Sequence, residues 1–112
     1  MLNTTIVQQP VNLSTLVARY TQAAIDFIQM PSRAPFLLYV AYDHVHSPQF
    51  ASGAWRGVSA RGMFGDAVEE MDASVGAIVN SIRSTATLAR NTLIIFTSVG
   101  GDYSAFLCHL AR

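Results

Sequence analysis

Leu13, Leu16, Val17, Tyr20, Ala24, Phe27 and Ile28 recur at the spacing that puts side chains on one face of a helix. Asn12 stands before them as a suitable N-cap, and Pro31 ends the pattern, because proline has no backbone N–H and restricts the residue before it. Pro35 then opens residues 36–42, F-L-L-Y-V-A-Y, a run apolar at nearly every position. Such a run predicts a strand covered on both faces, as in a parallel sheet. A stretch rich in Ser, Gly and His follows over 43–65. Val68, Met71, Val75, Ile78, Val79 and Ile82 mark the inner face of a second helix. Asp66, Glu69 and Glu70 at its start and Arg83 near its end suit the helix dipole. Residues 92–97, T-L-I-I-F-T, predict the second strand.

The order is α-β-loop-α-β, an α/β arrangement in which two strands joined through a helix are most simply parallel neighbours with a right-handed crossover. Open parallel sheets bind ligands beyond the carboxyl ends of their strands. Those ends hold His44-Val45-His46 on one side and Val99-Gly100-Gly101-Asp102 on the other. In an extended segment, residues two apart face the same way, so His44 and His46 would meet one ligand together. Imidazoles bind metals, move protons or donate to anions. A metal site needs further ligands at recognised spacing, and none follows. Loop histidines satisfied by backbone groups are the simpler reading of the pair.

Composition narrows the picture. Hydrophobic residues make up 51% of 112 and charged residues 12%, with seven Lys/Arg against seven Asp/Glu, which predicts a folded chain and excludes a disordered tail. A nucleic-acid binder would carry a basic excess, so no nucleic-acid partner is expected. No apolar run reaches the roughly 20 residues of a membrane span. Met1-Leu2-Asn3-Thr4-Thr5 lacks the cationic start and apolar stretch of a signal peptide. The single cysteine, Cys108, forms no intrachain disulfide, and its neighbour His109 does not by sequence adjacency make it a nucleophile. Asn3 and Asn12 open glycosylation sequons.

The run P-F-L-L-Y-V-A-Y-D-H-V-H-S-P-Q-F over residues 35–50 resembles a segment of the arylsulfatases, especially the arylsulfatase A and galactosamine-6-sulfatase group. Further similarities follow in order: S-A-R-G-M-F-G-D over 59–66, A-V-E-E-M-D over 67–72 with Ser74-Val75-Gly76, and N-T-L-I-I-F-T-S over 91–98. The opening Q-P-V-N-L over 9–13 and Ala18-Arg19-Tyr20 are also similar, so the resemblance spans almost the whole chain. It implies an alkaline-phosphatase-like α/β fold, of which residues 1–112 would be a single incomplete domain. It also implies hydrolysis of sulfate monoesters by a formylglycine hydrate, made from the cysteine of a C-x-P-S-R motif, beside a bound calcium ion. A lysosomal or secreted location comes with the family.

Carried over by position, His46 matches the family histidine that contacts the substrate sulfate, and His44 stands beside it with no assigned role. Arg61-Gly62 and Gly65-Asp66 would set the turn into the second helix, with Asp66 as its cap. The chain departs from the family where the chemistry resides. Pro31-Ser32-Arg33 copies the end of the nucleophile motif, but Gln29 holds the cysteine's place. Where the family reads Ser-Asp-Asn-Gly, with Asp and Asn on calcium, this chain reads Ser98-Val99-Gly100-Gly101-Asp102. Valine offers no oxygen to a hard cation, and Asp102 is displaced along the loop. There is no lysine to grip sulfate. The expectation is an arylsulfatase-like chain without catalytic residues or calcium of its own. A non-catalytic pseudoenzyme or binding module is the alternative, a phosphatase of the same superfamily is a third, and self-association through exposed sheet edges is expected.

Overall fold

Asn12 begins the first helical segment as its spacing predicts. Its Oδ1 accepts from the backbone N–H of Ser14 at 3.1 Å and from the Ser14 hydroxyl at 2.7 Å, closing a 3-10 turn over Leu13–Thr15. The turn runs directly into α1, Leu16–Gln29. The helix ends two residues short of Pro31, whose missing N–H could not have continued it. The computed structural model describes residues 4–31, 35–43 and 45–98.

Two further helices follow, α2 over Gly62–Arg83 and α3 over Ala86–Asn91. The predicted start of α2 at Asp66 is corrected: the helix begins four residues earlier, so the first turn holds no acid, while Arg83 does lie in its last turn. Ala24 and Ile28 of α1 meet Ile78 and Ile82 of α2 in a buried cluster, and Leu38, Val40 and Leu88 pack against it. Phe27 stays partly exposed and meets Phe36 edge to face, with ring centroids 5.5 Å apart.

The predicted α/β arrangement with two parallel strands is not what the chain adopts. The described residues form helices and no sheet. Along 37–43, exposed and half-buried residues alternate; Leu38 and Val40 rest on the helices, whereas Leu37 and Tyr39 are 90% and 85% exposed. Exposure also alternates over residues 93–96, at 73%, 39%, 65% and 42%. This period of two is that of extended backbone; one side is covered in the first segment, and both sides are exposed over 93–96. Apolar content on both faces had predicted cover on both, but a strand also needs a neighbour to take its ladder hydrogen bonds. Neither segment is assigned to a β-ladder among the described residues.

The inner face of α2 is also rotated from the predicted one. Its buried residues include Asp66, Glu70, Ser74, Ile78 and Ile82, each four residues from the last, while Val68, Met71, Val75 and Val79 are half-buried. The C-terminal half of this stripe packs on α1. The N-terminal half is polar and holds the long loop, by hydrogen bonds rather than by apolar contact.

Candidate functional site

The segment after residue 42 turns sharply. Val45 has φ 68°, a left-handed conformation that crowds a β-branched side chain. Extended geometry, on which the joint facing of His44 and His46 depended, therefore does not hold here. His46 is exposed on this bend, and His44 lies outside the described residues. The His46 ring is oriented locally, with Nδ1 2.8 Å from the Ser47 carbonyl oxygen. A carbonyl only accepts, so Nδ1 carries the hydrogen and Nε2 is the atom that can meet a ligand. As imidazolium, Nε2 donates to an anion; as neutral imidazole, it accepts.

Leu13, Tyr42, Asp43, His46, Ser47, Pro48 and Phe50 line an open pocket of about 380 Å³. It combines apolar walls with one imidazole, one carboxylate, a phenol and a hydroxyl. Beside Leu38 and Val40, burial, followed by the charge of Asp43, raises the pKa of the Tyr20 phenol.

Both ends of the pocket-bearing loop are tied to α2. Upstream, Tyr42 Oη lies 2.6 Å from Ser74 Oγ, which lies 2.5 Å from Thr21 Oγ1, and Thr21 donates to the Val17 carbonyl at 2.8 Å. The terminal carbonyl fixes the direction of this relay. Thr21 spends its only hydroxyl hydrogen on Val17, so Ser74 donates to Thr21 and Tyr42 donates to Ser74. Downstream, the Ser52 N–H donates to Glu70 Oε2 at 3.0 Å. Ala51 beside it is buried, and its carbonyl accepts from Arg56 Nε at 3.1 Å.

Asp66 completes the hold but does not cap the helix as predicted. The cap position is Arg61, and the Asp66 carboxylate accepts from the N–H groups of Gly57 and Ser59, each at 2.8 Å. Backbone donors at Ser59 and Gly57, with a contribution at Val58, lower its pKa below the ordinary aspartate value despite burial. Gly57 makes its turn at φ 73°, and Gly65 lets Ser59 and Arg61 lie against α2.

Sequence reasoning had picked out His46 but had not seen Tyr42, Glu70 or Ser74 as parts of this arrangement. The signal for Glu70 and Ser74 was the four-residue step from Asp66 through Ser74 into Ile78 and Ile82, a polar continuation of an apolar stripe; Tyr42 carried none. Val99, Gly100, Asp102, Cys108 and His109 lie outside the described residues, as do Ser32 and Arg33. Among the described residues, no three His, Cys, Asp or Glu side chains gather as they would around a metal ion. No described helix is long and apolar enough to cross a membrane.

Comparison with known proteins agrees with the resemblance read from the sequence. The chain is 48% identical to human steryl-sulfatase over 92% of its own length, and 43% identical to the pig N-acetylgalactosamine-6-sulfatase over 88%. Canine arylsulfatase H is 39% identical over 90% of the chain. The matched regions are only 18%, 22% and 18% of those relatives, so the chain spans about a fifth of their length. Residues 3–101 match the sulfatase family, and the chain belongs to that family.

Proposed function

We propose that this chain supplies the sulfate-contacting histidine of a sulfuric ester hydrolase, with His46 donating through Nε2 to a sulfate oxygen. The observation that carries the reading is the bond from Nδ1 to the Ser47 carbonyl, which orients the ring and leaves Nε2 for the ligand. A charge-assisted hydrogen bond from imidazolium to an oxyanion contributes roughly 1.5–3 kcal/mol, enough to orient a sulfate and too little to cleave its ester. The substrate class is a sulfate monoester, the group shared by the names of the steryl and N-acetylgalactosamine-6 relatives. His44 is a second contact in the same proposal.

The 112 residues by themselves do not turn substrate over. Ester cleavage needs an attacking group and stabilisation of charge on the sulfate oxygens. The chain contains no C-x-P-S-R motif to provide the first. The calcium implied by the family does not fit these residues: Val99 and Gly100 stand in the ligand region and have no side-chain oxygen. No step is assigned to the metal. A lysosomal or secreted location belongs to the same reading, and the exposed sequon at Asn12 is compatible with it.

Two measurements test the proposal. Purified chain given a chromogenic aryl sulfate and calcium is expected to show no turnover above a His46→Ala control. Inorganic sulfate is expected to shift the His46 ring resonances saturably, where chloride at equal ionic strength does not. Turnover that disappears in His46→Ala overturns the inactivity, and an unresponsive ring overturns the sulfate contact.

A further inference from the structure

Glu70 and Ser74 are both about 5% exposed and stand one turn apart on the same face of α2. Each takes hold of one end of the segment that carries His46. Ser74 accepts from Tyr42, four residues before the histidine, at 2.6 Å, and Glu70 accepts from the Ser52 N–H, six residues after it, at 3.0 Å. We propose that Glu70 and Ser74 are positioning residues that fix the His46 bend by clasping its two ends to a single helical turn. This rests on the proposed role of His46 as the sulfate contact.

A bend with a left-handed valine is not held by its own backbone preferences, since a β-branched residue disfavours that conformation. Something outside the bend must therefore maintain it. Residues four apart on a helix are rigid neighbours about 6 Å apart, so anchoring both ends there fixes the separation the bend must span. The two anchors differ in kind. Ser74 is the middle of a relay that also reaches α1 through Thr21, whereas the Glu70 carboxylate accepts directly from main chain. Asp66, one turn earlier, secures the continuation of the loop at Gly57 and Ser59 and has no bond to the residues bracketing His46.

The test uses the full 112-residue chain with isotope-labelled histidine. Glu70→Ala removes the acceptor, Glu70→Gln keeps an oxygen in the same place, and Ser74→Ala removes the relay. Asp72→Ala, at an exposed site on α2, is the control. In the absence of anion, Glu70→Ala and Ser74→Ala are expected to displace or broaden the His46 ring signal, with Glu70→Gln and the control matching the unsubstituted chain. In the inorganic sulfate titration, the two alanine variants at α2's inner face lose at least about tenfold in affinity, and Glu70→Gln restores it. A His46 signal unchanged in Glu70→Ala and Ser74→Ala overturns the clasp, as does a loss that Glu70→Gln fails to rescue while helical circular dichroism is retained. Displacement of the ring signal in those variants, with no sulfate response in any chain, supports the clasp and overturns the sulfate reading alone.

Discussion

Asp66 shows how much one carboxylate can organise. It accepts from two backbone N–H groups nine and seven residues upstream, and these donors lower its pKa. With its folded-state pKa below the unfolded one, the stability it contributes is fully present above the unfolded value and is lost as pH falls through the folded value. The chain has one tryptophan, Trp55, inside the loop that Asp66 holds, where its backbone N–H donates to the Ser52 carbonyl at 3.0 Å. Trp55 fluorescence is therefore expected to stay constant down to the ordinary aspartate range and to change only at lower pH. Asp66→Asn, which keeps one acceptor in place of two, is expected to show the altered emission already at neutral pH. An unaltered spectrum in that variant would remove Asp66 from this role. The residue types at His46 and Asp66 were legible in the sequence; their partners, the Ser47 carbonyl and the Gly57 and Ser59 N–H groups, were not, because main-chain donors and acceptors leave no trace in residue identity.

Helices α1 and α2 were legible as elements because their apolar spacing is local, whereas α3, six residues with none buried, has no such stripe and was not predicted. Asn12 and Pro31 bracket the first one by backbone chemistry that needs no tertiary contact. The start of α2 was misplaced because acidic residues near a helix start look alike whether they complement the dipole or bind another segment. Gly65 sits where this distinction is physical: a Cβ there would stand 2.7 Å from Ser59 Cβ and 2.8 Å from Arg61 Cβ. Gly65→Ala is expected to push the loop off α2 and to cost about 1–3 kcal/mol in urea unfolding, although alanine is the better helix former. A gain in stability would mean that the loop does not lie against the helix at that point.

At the scale of the whole molecule, α1 and α2 share a small buried core, while the extended segments expose apolar side chains on their outer sides. Leu37, Tyr39, Leu93 and Ile95 are each at least 65% exposed. Large exposed apolar surface favours association. The chain is expected to self-associate in sedimentation velocity, and a Leu37→Ser, Leu93→Ser double variant to sediment as a smaller species; equal sedimentation of the two would assign association to another surface. Sequence by itself determined the first helix and the body of the second, the candidate imidazole and membership of the sulfatase family, since periodicity, proline chemistry and ordered motifs are properties of the chain read in one dimension. Tertiary structure alone decided that the first apolar run is covered on one side and the second stays exposed, that neither joins a sheet among the described residues, and that Glu70 and Ser74 bracket His46. Cover and hydrogen-bond partnership depend on which distant residues arrive, and residues 18 and 32 positions apart meet only once α2 has packed.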